Sequence, residues 1–197
     1  VDCGNGATSE LAPELLRRLG CEVRDMYCSV DGRFPNHHPD PSKADNLKDL
    51  IATVQTQQAD LGLAFDGDGD RLIAVDESGA VITGDQLMAI GARFLNRRGQ
   101  LWNDVLVSTV MSNIGLKEAL KSLGIRHLAS DVGDRYVMEK MTDCEAALGG
   151  EDSGHIIYRA YHTTGDGLLS ALKLVEAMKE EDRSLSAMAR FMTVYPQ

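Results

Sequence analysis

The chain has 197 residues, 43% of them hydrophobic, enough to bury a core in one large domain or two small ones. Thirty acidic against twenty basic side chains leave a formal charge of −10, and no Lys/Arg cluster exists to release counterions from a phosphate backbone, which argues against nucleic acid as a partner. No apolar run approaches the roughly 18 residues of a membrane span, so no membrane partner is expected, and no signal peptide is visible.

Short apolar strands alternate with amphipathic helices along the chain, the pattern of an α/β fold. The sequence opens at Val1 in what reads as a strand end, without an initiator Met, as a piece of a longer protein would. Leu11, Leu15, Leu16 and Leu19 share a helical face, with Thr8 and Ser9 as cap candidates and Gly20 as the stop. Leu47, Leu50, Ile51 and Val54 repeat that spacing after Pro41 and Ser42, predicting a second helix to about Gln57. In "HHPDPSK", His37 to Lys43, the prolines and a Ser42 cap read as a rigid lead-in to that helix in preference to a metal site. Strands are expected at Leu61 to Phe65, Leu72 to Asp76 and Ala80 to Ile82, followed by a helix from Asp85 to Asn96. The cycle then restarts with a strand at Val105 to Thr109, a helix from about Gly115 to Leu123 and a strand near His127. "NGATSELAPELLRRLGC" and "SNIGLKEALKSLGI" each place Asn and Gly ahead of a helix closing on Leu-Gly, and each half later sets an acidic, glycine-containing loop after an apolar run. The expected fold class is therefore α/β with two similar small domains, residues 1–100 and 101–197, each a mixed β-sheet flanked by helices.

The densest chemistry lies in "AFDGDGDRLIAVD". Asp66, Asp68 and Asp70 alternate with Gly67 and Gly69, which let the backbone curl three carboxylates toward one point. Three converging carboxylates repel one another unless a cation lies among them, and a hard divalent ion with oxygen ligands fits, Mg²⁺ above all where phosphate or water completes the octahedron. Glu77 falls at the twelfth position of a calcium loop, but Arg71 stands where that loop turns on glycine and the flanks read as strands. Beside a metal, the Arg71 guanidinium suits a phosphate. In "GGEDSGHII", Glu151, Ser153 and His155 sit on a glycine-flexed loop and offer the donors and acceptors that vicinal sugar hydroxyls require; His155 also fits a structural role. "VGDRY", Val132 to Tyr136, and "TTGDG", Thr163 to Gly167, read as strand-to-helix turns whose amides either face an anion or serve only as caps. Cys3, Cys21, Cys28 and Cys144 form no C-x-x-C pair and show no zinc spacing; they read as small, mostly buried thiols in a reducing cytosol.

Together "DCGNGA", "AFDGDGDR" and "GEDSGH", in this order and spacing, resemble the α-D-phosphohexomutase family over essentially the whole chain. The resemblance implies two of the family's four domains, the second and third, and a reaction in which a phosphoserine passes its phosphoryl group to a phosphosugar, the bisphosphate reorients, and the other phosphate returns to the serine. It implies that Asp66, Asp68 and Asp70 hold Mg²⁺ against that phosphoserine, that Arg71 faces the same phosphate, and that Glu151 and Ser153 bind sugar hydroxyls. The catalytic-serine domain and the phosphate-binding domain have no counterpart here, so this chain alone is expected to catalyse nothing. "TVMSNIGLKEAL", "VGDRYVMEKM" and "HTTGDGLLSALKL" are similar to the family's glucosamine branch, as is Asp134 where the mannose/glucose branch carries histidine. "DGRFPNHHPDPSKADNLKDLI" is closer to that mannose/glucose branch, and Asp152 fits neither, being free to pair with an ammonium group on the sugar or to face solvent. A rival from another class is a noncatalytic divalent-metal-binding module whose acidic loop is structural.

Overall fold

Leu63, Phe65, Leu72 and Ala74 alternate with Ala64, Ile73 and Val75, and every one of them is buried, so both faces of the strands that carry them must be covered. The computed structural model, which describes residues 1–196, shows how. Strands β1 (Leu61–Phe65), β2 (Leu72–Asp76) and β3 (Val81–Ile82) form an antiparallel meander. A second sheet is mixed, with β4 (Val105–Thr109), β5 (Arg126–Ser130), β6 (Leu148–Gly150) and β7 (Ile156–Tyr158) in the order β5-β4-β6-β7, antiparallel only at β6-β7. The helices are α1 (Leu11–Arg18), α2 (Lys48–Gln57), α3 (Gly84–Arg97), α4 (Ile114–Ser122), α5 (Asp134–Asp143), α6 (Gly167–Glu181) and α7 (Leu185–Ala189). The expected α/β architecture of two sheets flanked by helices is therefore present.

The strand alternation sorts the core into three layers. Leu63, Phe65, Leu72 and Ala74 of the first sheet join Leu106, Leu148 and Ile156 of the second, with α3 and α6, in one continuous cluster. Ala64, Ile73 and Val75 face Leu47, Leu50 and Val54 of the α2 region on one outer side. Val105, Val107 and Ile157 face Val137 and Met141 of α5 on the other. Each fully buried Leu, Ile or Phe is worth about 1.5–3 kcal/mol relative to exposure, so the shared middle layer binds the two sheets into one packing unit. Helix α3 follows the first sheet in sequence but packs on β6, α4 and α6, while α6 reaches back to β1 and β2.

Several local expectations change. Leu11 and Leu19 are exposed and α1 buries Ala12, Pro13 and Leu16; the turn ahead of it is fixed by the Ala7 N–H donating to Gly67 O, so close that a Cβ on Gly6 would lie 2.6 Å from that oxygen. Neither Thr8 nor Ser9 caps α1: the position before it is Glu10, without a side-chain cap, and the Ser9 hydroxyl donates to Gly6 O. Ser42 is likewise no cap. Its N–H and hydroxyl both donate to Asp40 Oδ1, and a 3₁₀ turn at Ala44–Leu47 precedes α2. The α4 cap is Asn113, whose side chain accepts from the Gly115 N–H.

Candidate active site at the junction of the two sheets

Between β1 and β2 the chain must reverse within six residues while holding three carboxylates on one side. Asp66 does this from inside: its Oδ1 accepts from the Gly69 and Arg71 N–H groups, both at 3.0 Å. Gly69 takes φ +84°, a left-handed conformation that costs a side-chain residue strain, and a Cβ there would lie 2.7 Å from Thr8 Cγ2. The result brings one ligand atom from each of Asp66, Asp68 and Asp70 within 4.8 Å of the others. Burial, and then the neighbouring carboxylates of Asp70 and Asp68, push Asp66 up to about 7. Arg71 Nε lies 3.6 Å from Asp70 Oδ1 and 3.9 Å from Asp66 Oδ2. Asp70 Oδ1 and Arg71 Nε are both buried without a hydrogen-bond partner. Three carboxylates against one guanidinium leave negative charge uncompensated, and an unpaired carboxylate oxygen is what a divalent cation satisfies; the donor set is all oxygen, as a hard ion requires.

The expected sugar loop is the turn of the β6-β7 hairpin. The Glu151 N–H donates to His155 O and the Gly154 N–H to Glu151 O. Gly154 has φ +94°, and a Cβ on it would meet Leu72 O at 2.2 Å. That close approach joins the two loops: the Leu72 N–H donates to Gly154 O at 3.1 Å, and Arg71 and His155 form an antiparallel bridge. Glu151 Oε1 accepts from the Gly133 N–H at 3.0 Å, just ahead of α5. Ser153 Oγ is buried and has no partner. His155 is only 3% exposed; its Nε2 accepts from the Gly165 N–H at 3.1 Å and lies 3.7 Å from Asp70 Oδ2, so the ring meets the metal loop and not open solvent. In the neutral ring this leaves the proton on Nδ1.

Both glycine turns are thereby accounted for. In "VGDRY" the Gly133 amide faces an anion, but that anion is Glu151 of the same chain. In "TTGDG" the Gly165 and Gly167 amides donate to His155 Nε2 and Gly69 O, and Asp166 caps α6 by accepting from the Leu169 N–H. Asp152 is exposed, as its solvent-facing reading expects, with one carboxylate oxygen held by the chain. Its Oδ1 accepts from the Asp85 N–H and its carbonyl from the Gly84 N–H, at the start of α3, where the helix dipole favours negative charge. Asp85 is fully buried beneath it, accepts from the Asn113 N–H, and is pushed up to about 6 by burial and then by Asp152. No sequence pattern singled out Asp85, Gly133 or Gly165 as part of this junction; only "TTGDG" and "VGDRY" hinted at it as turns. An open cleft of about 440 Å³ beside α5, lined by Asp134, Arg135, Ile157, Thr163 and Thr164, includes none of the seven expected site residues.

Comparison with known proteins fits this geometry. The chain is 49% identical over all 197 residues to the phosphoglucosamine mutase of Syntrophus aciditrophicus (strain SB) and 50% identical to that of Anoxybacillus flavithermus (strain DSM 21510 / WK1), covering 43% of each. It thus spans less than half the length of these relatives. Among solved structures, a phosphoglucomutase/phosphomannomutase family protein from Burkholderia thailandensis superposes with a TM-score of 0.86 at 34% identity, over 98% of this chain and 42% of the other. The Aspergillus fumigatus N-acetylphosphoglucosamine mutase, solved with GlcNAc-6P and magnesium, shares the fold at a TM-score of 0.74 and 18% identity, over 99% of this chain and 49% of the other. Residues 1–79 match the family model of phosphoglucomutase/phosphomannomutase alpha/beta/alpha domain II and residues 83–195 that of domain III, and the chain belongs to this family.

Proposed function

We propose that the protein containing this chain is a phosphohexomutase that interconverts 6-phospho and 1-phospho sugars, with glucosamine-6-phosphate to glucosamine-1-phosphate as its reaction. The observation that carries the reading is the backbone joint between the acidic loop and the β6-β7 turn, which brings three carboxylates and an unpaired serine hydroxyl to one junction. Near 50% identity to phosphoglucosamine mutases favours the glucosamine substrate over mannose or glucose.

Asp66, Asp68 and Asp70 would hold Mg²⁺, which when bound supplies positive charge against the charge that develops on a transferring phosphoryl group. The magnesium and GlcNAc-6P in the Aspergillus enzyme are in keeping with this pairing of ligands. Arg71 is the catalytic residue of this chain: it is partly exposed, its Nε lacks a hydrogen-bond partner, and it suits the oxygens of the same phosphate. Glu151 keeps Oε1 on Gly133 and has Oε2 for a sugar hydroxyl, while Ser153 Oγ can donate or accept. His155 serves the sugar site from beneath, by fixing the turn against the metal loop. We assign the metal loop to a unit of residues 1–100 and the sugar loop to one of residues 101–197, with α3, at the end of the first in sequence, packing on β6, α4 and α6 of the second. The phosphoserine and the phosphate-binding groups belong to other domains of the same protein, and its location is the cytoplasm.

The test is a mutase assay of the full-length protein on glucosamine-, mannose- and glucose-6-phosphate, with and without Mg²⁺. Turnover is expected on glucosamine-6-phosphate, dependent on Mg²⁺, and none from the 197-residue chain alone. A strong preference for mannose or glucose would move the protein to the other branch. Inactivity on every sugar would leave only a noncatalytic metal-binding module.

A further inference from the structure

Cys3 and Cys28 are 25 residues apart in sequence and belong to no thiol motif, yet the fold sets them side by side. Asp2 bridges Met26 in parallel, the Cys3 N–H donates to Met26 O at 3.1 Å, and the Met26 N–H donates to Val1 O at 2.8 Å. Across this pairing the two Sγ atoms are 3.2 Å apart. Cys3 is fully buried; Cys28 is partly exposed and its thiol also lies 3.2 Å from Met26 O. Cys28 Sγ donates to Cys3 Sγ and to Met26 O; once either sulfur gives up its proton the other can donate across the 3.2 Å contact, which lowers the less buried Cys28, while burial helps to hold Cys3 up. A partly exposed thiol in contact with a fully buried one is the arrangement of an attacking cysteine and its resolving partner. Among the described residues no other pair of cysteine sulfurs is in hydrogen-bond contact.

We propose that Cys3 and Cys28 are a reversible oxidation site that exchanges with low-molecular-weight disulfides of the glutathione type. The Cys28 thiolate attacks one sulfur of the small disulfide, forming a mixed disulfide and releasing one small thiolate, which takes up a proton. Cys3 then loses its proton and attacks Cys28 Sγ, forming the Cys3–Cys28 bond and expelling the second small thiol. The two protein thiols are oxidised by two electrons, and the small disulfide is reduced to two thiols. The sulfurs need to close only from 3.2 Å to about 2.05 Å, so the backbone pairing around them can persist. The bond would fasten the segment at Met26 to the strand residue Asp2, which in turn borders β1: the Asp2 N–H donates to Leu63 O and the Phe65 N–H to Asp2 O, one residue before Asp66. Oxidation would thus stiffen the inner edge of the sheet that carries the metal loop. This inference does not depend on which sugar the protein uses.

The test is peptide mapping of the full-length protein. Reduced protein is exposed to oxidised glutathione, quenched with iodoacetamide and digested with trypsin without reduction. The expected product is the peptide Asp25 to Arg33 linked through Cys28 to the peptide ending at Arg17 that carries Cys3, formed faster than any change at Cys21 or Cys144 and reversed by dithiothreitol. In Cys3→Ser the resolving thiol is gone, and Cys28 should retain one glutathione. Absence of the linked peptide from native wild-type protein, or its formation at the same rate in urea, would overturn the proposal. Both readouts use wild-type protein, so they stand even if the variant folds poorly.

Discussion

The two halves of the chain run the same strand plan and spend it on different chemistry. In the second half β4 is flanked by parallel β5 and β6, and β6 turns back into antiparallel β7. In the first half Asp2 is flanked by parallel Met26 and Ala64 of β1, and β1 turns back into antiparallel β2. The acidic loop and the Glu151 turn therefore occupy the same topological position. One packs three carboxylates together; the other fastens its single inward carboxylate to an amide ahead of α5 and leaves a serine hydroxyl unpaired. The exits of the two strands also differ: Gly4 and Asn5 turn left-handed at φ +50° and +60° immediately after Cys3, and no residue after Thr109 up to the start of α4 does so. A repeated scaffold fixes where a loop emerges; the residues in the loop decide what it does.

The largest expected effect comes from removing charge from one loop alone. Asp68→Asn in the full-length protein should lower kcat/KM about 10²–10³-fold by weakening metal affinity, while Ser153→Ala at the equivalent turn should leave metal affinity unchanged. Equal metal loss in both variants, measured by calorimetric titration with Mg²⁺, would erase the proposed division of labour. Next comes the joint between the loops. Gly154→Ala forces a Cβ against Leu72 O in a left-handed backbone and should destabilise the fold by about 2–4 kcal/mol, read as a lower midpoint in urea. An unchanged midpoint would mean that the loops are not held together as described.

The smallest effect lies at a second contact between the halves. Glu77, in the β2-β3 turn, accepts from the Ser186 N–H at 3.2 Å and from its hydroxyl at 2.6 Å in α7. Partial burial pushes Glu77 up, but hydrogen bonds from Ser186 and Ser184 outweigh it and bring Glu77 from its ordinary 4.5 down to about 2. A depressed carboxylate contributes stability that is present above pH 4.5 and lost as pH falls through about 2. Glu77→Gln should therefore cost about 1 kcal/mol near neutral pH, after allowing for solvent screening. The gap to wild type should close toward pH 2. A gap that is constant with pH would remove the carboxylate from the account.

Strands β1, β2 and β4 and helices α2 and α3 were legible from apolar spacing, because strand and helix periods are local properties of the chain. The acidic loop was legible for the same reason: alternating Asp and Gly state both the charge and the backbone freedom within five residues. What the sequence left open was every choice of partner distant along the chain. The leucines of α1 declared an apolar helix, but only the packed fold shows that Ala12 and Leu16 face inward and Leu11 does not. Asp152 read equally well as a sugar ligand or a solvated charge; it is exposed, and only the fold shows that the start of α3, 67 residues away, holds one of its oxygens. Two unremarkable cysteines became a pair only when Asp2 and Met26 ran parallel. Periodicity encodes which residues must be buried, whereas long-range hydrogen bonds and close backbone approaches decide against what, and those exist only once both sheets share a core.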